Sequence, residues 1–284
     1  MSLNHELINI PIGKENVSVT VYDSLTEKTV GELILTPAFG ITARSMFSFA
    51  YYLSSNGFKV YCLDYRNHVG KSSGEIIDCK LSTQAEDLLA VIKETNCRKI
   101  VSISLSCRST IKGCALLNEE VELVMITPVV NTANTISCAA NVDYFEIVKD
   151  DSDLNQEADI LGNLVKYYFV KDAKENNFDS LESTMDDLKK VKGKITMIAG
   201  NLDPWVKIDE VKNVVDSTKS IPVELTIINA AAHKINRNPV VAAKYYEEAT
   251  RECLKNAGMP YDNICIPNLK EIIREIGRRG GKNE

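Results

Sequence analysis

Short apolar runs alternate along this chain with longer stretches whose apolar residues recur every three or four positions. That alternation dictates an α/β fold around a mostly parallel sheet. "FKVYCLDYR", "RKIVSISLS", "VELVMITPVV", "KITMIAGNLDPWV" and "PVELTIINAAAHK" read as strands. Between them, helices are expected from Met46 to Ser55, over "DLLAVIKETN" with Leu88, Leu89 and Ile92 on one face, from Cys107 to Asn118, and over "NPVVAAKYYEEATRECLKNA", where Pro239 stands near the start.

Two regions break the rhythm. "HELINIPI", "VSVTVYDS" and "VGELILTPAFG" are strand-like runs separated by turn residues and point to an antiparallel beginning of the sheet. The polar stretch 131–192 holds helical pieces, "ILGNLVKYYFVKDA" and "LESTMDDLKKV", and no strong strand. An insertion of this kind over a sheet suits a cap or substrate-binding region, and a pair of packing helices with no ligand role is the plain alternative. The tail "PNLKEIIREIGRRGGK" reads as an amphipathic surface helix.

With 284 residues and 44% hydrophobic content, and no Pro/Gly/Ser-rich linker, one domain spanning 1–284 is expected. The formal charge of -6 argues against nucleic acid or an anionic membrane surface as a partner and favours a small or protein-carried substrate. The beginning of the chain has no basic segment followed by an apolar core, and no apolar run approaches a membrane span, so a cytoplasmic protein is expected. The eight cysteines form no C-x-x-C pair and read as mostly buried thiols, with no zinc site or disulfide framework.

Open parallel sheets bind ligands beyond the carboxyl ends of their strands. Ser106, Asp203 and His233 are expected at three such ends, in the chain order Ser, Asp, His of the α/β-hydrolase triad. A serine hydroxyl becomes a nucleophile when an imidazole takes its proton, and a carboxylate must orient that imidazole. His5 and His68 are the other two histidines; the first lies in an unremarkable N-terminal segment and the second reads as a hydrogen-bonding loop residue. "NLDPW" is also a good turn, so Asp203 carries a structural reading beside the catalytic one. Cys107 competes with Ser106 as nucleophile. Ser106 is preferred because Ser104 supplies the small residue that a sharp strand-to-helix turn needs two positions earlier, although Arg108 stands where a glycine is usual. The oxyanion donors are expected to be the backbone N–H groups of Cys107 and of Phe39 in "TPAFG", with Ala38 as the alternative to Phe39.

From the "LTPAFG" loop to the helix after His233, the chain resembles the LuxD family, the acyl-carrier-protein-directed acyltransferases (thioesterases) that supply fatty acid to the reductase complex of bacterial luminescence. "YYLSSNGFKVYCLDYRNHVGKSSGEI" resembles a family segment with "HVG" and "SSG" retained, "SLSCR" is similar to the family's S-L-S-A-R, and "VVNTANTISCAANVDYF", "ESTMDDL" and "NLDPWVK" have family counterparts. The departures are Ala38 for a glycine, Asn67 for one of two adjacent histidines, Ala231 and Ala232 for serines, and a shorter tail. The resemblance implies an α/β-hydrolase fold, Ser106 as the acylated group with Asp203 and His233, a long-chain acyl thioester or acyl carrier protein as substrate, an apolar tunnel under the cap, and reductase and synthetase subunits as partners. No cofactor or metal is implied. A carboxylesterase or an editing thioesterase would use the same triad, and an idle hydrolase fold within a multienzyme complex is a rival of another class.

Overall fold

The structure is a computed structural model that describes residues 3–218, 222–235, 238–268, 270 and 274. Its centre is an eight-stranded sheet. Strands β1 (His5–Ile12), β2 (Glu15–Tyr22), β3 (Gly31–Thr36), β4 (Phe58–Leu63), β5 (Lys99–Ile103), β6 (Glu120–Ile126), β9 (Lys192–Gly200) and β10 (Val223–Ile228) lie in the order β1-β2-β4-β3-β5-β6-β9-β10. The hairpin of β1 and β2 is antiparallel, turning at Gly13 with φ +62°, and β2 runs antiparallel to β4. Every other neighbouring pair is parallel. The expected antiparallel beginning therefore stops after two strands: β3 sits between β4 and β5 and runs parallel to both.

The central strands read as unbroken apolar runs because both faces of a parallel sheet are covered. Their period of two deals successive side chains into separate cores. Ile34, Ile100, Leu123 and Met125 enter one core, beneath α2 (Leu81–Thr95), α3 (Ser106–Leu117) and α8 (Ile208–Ser217). Leu33, Leu35, Val101, Ile103, Val124 and Ile126 enter the other, beneath α1 (Phe47–Ser55) and α9 (Pro239–Asn256). Asn96 and Asn118 close α2 and α3 in the left-handed conformation, which asparagine tolerates. Asn238 opens α9 by accepting the N–H groups of Val240 and Val241, with Pro239 in the first turn.

Between β6 and β9 lie α4 (Thr132–Ala140), α5 (Tyr144–Ile147), α6 (Tyr168–Glu175) and α7 (Leu181–Leu188). They are joined by a feature that the polar sequence hides, an antiparallel hairpin of β7 (Glu157–Ile160) and β8 (Asn163–Lys166). Leu161 and Gly162 at its tip both have positive φ, the geometry of a tight two-residue turn. Helix α6 packs on α2, and α7 packs on α3 and α8, so these two belong to the layer beside the sheet. Among the described residues no helix is long and apolar enough to cross a membrane. All but a few residues of the C-terminal segment expected to be helical lie outside the described residues.

Candidate active site

Strand β5 ends at Ile103, and the chain turns at Ser104, whose φ is +59°. A side chain costs roughly 1–3 kcal/mol in that conformation. The turn is held from three directions: Ser104 N–H donates to the Ile126 carbonyl at 2.9 Å, and the Ser104 carbonyl accepts from Cys107 N–H at 3.0 Å and Val129 N–H at 3.3 Å. Serines replace the glycines usual two positions to either side, and their hydroxyls are consumed inward. Ser102 Oγ lies 2.7 Å from Thr36 Oγ1 and 3.0 Å from Thr110 Oγ1, while Ser106 Oγ donates to the Pro37 carbonyl.

The Ser104 hydroxyl is left facing His233, with Oγ 2.7 Å from Nε2, and His233 Nδ1 is 2.7 Å from Asp203 Oδ2. With Nδ1–H donating to the carboxylate, Nε2 is the acceptor for the serine proton. The other Asp203 oxygen accepts from Trp205 N–H and Val206 N–H, both at 2.9 Å. The turn and the acid are thus one device: the turn of "NLDPWV" aims one oxygen at the histidine by tying down the other. Trp205 packs against the imidazole with ring centroids 4.9 Å apart, and Lys234 Nζ lies 4.7 Å from the indole centroid.

Loops after β9 and β10 set the acid against the base. Asn201 N–H donates to Ile228 O, Leu202 N–H to Ala231 O at 3.0 Å, and Ala230 N–H to Asn201 Oδ1 at 2.8 Å. Gly200 permits this closeness, since a Cβ there would fall 2.3 Å from Ala231 O and 2.5 Å from Tyr245 Oη. Gly200→Ala is therefore expected to lose about 1–3 kcal/mol of stability and to spread the Asp203 and His233 loops. Denaturant titration combined with kcat would check this; unchanged values for both would show that the loops absorb the methyl.

Ser106 does not occupy the place expected of it. It is 1% exposed, forms the first residue of α3, and its hydroxyl bonds the Pro37 carbonyl rather than His233. The strand ends two residues earlier than a nucleophile at Ser106 requires. A usable signal was present, because Ser104 has a small residue two positions away on both sides and Ser106 has Arg108 on one. Cys107 is displaced as oxyanion donor by the same shift, since its N–H is spent on Ser104 O. Its thiol is wholly buried, and burial pushes its pKa up to about 12, away from the thiolate form. The residue after the turn is Leu105, whose N–H has no backbone or side-chain acceptor among the described residues. In the loop after β3, Gly40 N–H donates to His68 Nε2 at 2.9 Å and Ile41 N–H to Ala38 O, which leaves the N–H groups of Phe39 and Ala38 as the donors available to a ligand. Burial pushes the His68 pKa down to about 4, so its ring is neutral and able to accept.

Ser104 and His233 open into a cavity of about 430 Å³. Its apolar wall comes from Phe39, Ile41 and Met46 after β3, Ile103 on β5, and Ile235 after β10. From the insertion, the tip of the β7–β8 hairpin, Leu161 to Asn163, reaches it. The tip presses on the loop: a Cβ on Gly40 would sit 2.4 Å from Asn163 Nδ2. Thr127, also in the wall, has φ +46°, a marked outlier for a β-branched residue, and its buried hydroxyl has no partner among the described residues. Thr127 and Trp205 were not singled out as site residues in the sequence, where they fall at the ends of the strand-like runs "VELVMITPVV" and "KITMIAGNLDPWV". Among the described residues no group of His, Cys, Asp and Glu is arranged to hold a metal ion.

Arg108, the other oddity of the turn, is fully buried. Its guanidinium pairs with Asp187 of α7 at 2.7 Å, donates to the Asn177 carbonyl, and lies 5.1 Å over the Phe178 ring. Lys112 shares the Asp187 carboxylate at 2.9 Å. Arg108 thereby fastens the helix behind Ser104 to the end of the insertion.

Solved structures share this architecture. Est1E from Butyrivibrio proteoclasticus, solved with ferulic acid, aligns with a TM-score of 0.70 at 16% identity over 88% of this chain and 99% of that one. A monoacylglycerol lipase from Paleococcus ferrophilus aligns at 0.64 and 14% over 90% and 98%. At such identities the likeness shows the fold, which is that of the α/β hydrolases. Sequence similarity is closer to proteins called acyl transferase: 29% identity to one from Photobacterium leiognathi over 95% of this chain and 92% of the relative, and 31% to one from Vibrio harveyi over 74% and 70%. The acyl transferase family model matches residues 7–275, and the chain belongs to that family, the LuxD family.

Proposed function

We propose that this protein transfers or hydrolyses long-chain fatty acyl groups carried as thioesters, through an acyl enzyme on Ser104. The observation that carries the reading is the relay Ser104–His233–Asp203 at the mouth of an apolar cavity. His233 Nε2 takes the serine proton as Oγ attacks the thioester carbonyl. The negative charge that develops on the carbonyl oxygen meets the N–H of Leu105 at the start of α3 and an N–H of the β3 loop, that of Phe39 or Ala38. Collapse breaks the C–S bond, and His233 gives its proton to the departing sulfur, which leaves as the free thiol and returns the imidazole to its neutral form. Water or another acceptor then gives a proton to His233, attacks the acyl-serine carbonyl, and releases the acyl group with return of the proton to Ser104. Membership of the acyl transferase family supports an acyl thioester as the donor. An acyl carrier protein is the protein-borne form of such a donor, and a fatty-acid reductase complex is the consumer that the family resemblance suggests.

Intact-protein mass after incubation with tetradecanoyl thioester tests this directly. A single acyl adduct that vanishes in Ser104→Ala is the expected result. Acylation by short esters alone would sink the long-chain assignment in favour of a carboxylesterase, and an adduct that survives Ser104→Ala would sink the acyl-serine itself.

A further inference from the structure

The segment "HVGKSSG" carries part of the family resemblance, yet contributes no atom to the relay of Ser104, His233 and Asp203. Its His68 is 4% exposed and stands beneath the loop between β3 and α1. Three anchors hold that loop. At its start the Pro37 carbonyl accepts from Ser106; at its end Ala43 N–H donates to Asp64 at 2.6 Å; in the middle, Gly40 N–H donates to His68. The middle anchor adjoins Phe39, whose ring packs edge-on against the His68 ring at 5.2 Å, while Tyr65 packs on it at 6.1 Å. Gly40 itself is at φ +72°, a conformation glycine adopts without a Cβ penalty, and its N–H is thereby turned toward His68.

We infer that His68 is a positioning residue of this site: by accepting the Gly40 N–H it latches the β3 loop in the shape that points the adjoining N–H at the oxyanion. The inference rests on the acyl-serine reading above and adds a residue to it. A ring nitrogen can accept only while it carries no proton, and the buried, aromatic surroundings of His68 keep it so. A histidine that merely filled space here would be replaceable by phenylalanine without loss of rate. A latch would not, because a donor displaced by a fraction of an ångström no longer meets the charge that forms in the transition state.

The full-length protein and its His68→Phe, His68→Asn and His68→Gln variants would be compared in two measurements: the rate at which a fluorophosphonate labels Ser104, and kcat and KM for a p-nitrophenyl ester. Phenylalanine offers no acceptor and asparagine falls a methylene short, so both should slow labelling and kcat by about tenfold or more, with KM within about twofold. Glutamine places an amide oxygen near the position of Nε2 and should restore most of the rate. Wild-type rates in His68→Phe, or equal losses in His68→Gln and His68→Asn, overturn the latch. If His68→Phe does not fold, the comparison of Asn with Gln carries the test alone. Failure of wild type to be labelled at Ser104 would bring down the acyl-serine reading and the latch together, whereas labelling that is indifferent to His68 brings down the latch only.

Discussion

Ser104→Ala is expected to reduce kcat by about 10⁴-fold or more, the scale on which serine hydrolases lose rate without their nucleophile. Ser106→Ala should cost far less. Its hydroxyl supports the Pro37 carbonyl, and removing one such hydrogen bond is worth about 1 kcal/mol, or less than a factor of ten. Steady-state kinetics on both variants, with thermal unfolding to confirm that each is folded, distinguish the two serines. A Ser104→Ala protein keeping more than a hundredth of wild-type kcat would remove this serine from the chemistry, and a dead Ser106→Ala would return attention to the second serine. On the other side of the turn Thr36 and Thr110 hold the Ser102 hydroxyl.

The largest expected effect on stability is at Asp187. Arg108 is wholly out of water, and Asp187, itself 4% exposed, is the one carboxylate within ion-pair distance of it among the described residues. Burial works to lower the Arg108 pKa while Asp187 works to raise it, and burial prevails. Asp187→Asn leaves the guanidinium buried with no carboxylate in ion-pair distance and only the more remote Asp179 acting on it, a defect that costs roughly 3–5 kcal/mol. Urea or guanidinium unfolding would register it as a fall in midpoint. The paired change Arg108→Met with Asp187→Leu should recover most of the loss, because the expense lies in the unpaired charge rather than in the absence of the bridge. A loss under about 1 kcal/mol for Asp187→Asn would mean that water reaches the pair.

The sheet was legible because short unbroken apolar runs alternating with helical segments leave little freedom in an α/β chain, and each strand expected from β4 onward is present. Two things were not. The antiparallel start was extended one strand too far, since a run such as "GELILT" has the same apolar pattern whichever way its neighbours run; direction is set by what the crossover does, and that is not written in the strand. The β7–β8 hairpin went unseen because its strands are four residues each, and "ILGNLVKYYFVKDA", read as one helical piece, holds the turn and β8 ahead of α6, which begins only at Tyr168. At the site, Asp203 and His233 were placed together by their positions at strand ends, and the structure sets them 2.7 Å apart. The serine beside His233 is Ser104, two residues before the one expected there, and Ser106 bonds the Pro37 carbonyl instead. "SISLS" repeats serine at the turn's own spacing, so the pattern alone fits two registers, and the positive φ at Ser104 puts the sharp turn at the earlier one.

The cavity wall has one further consequence. Met46, Ile103 and Ile235 line the cavity and also belong to the core under α1 and α9. An acyl chain lying there would complete that core, in effect supplying a side chain that the polypeptide does not encode. Occupancy should then raise the melting temperature with ligand concentration, as mass action requires of anything that binds only the folded state. Widening the cavity to admit a longer chain would draw on the same atoms that hold the fold together. If the cavity holds the acyl chain as proposed, chain-length preference and folding stability become coupled quantities, and selection on one is felt in the other.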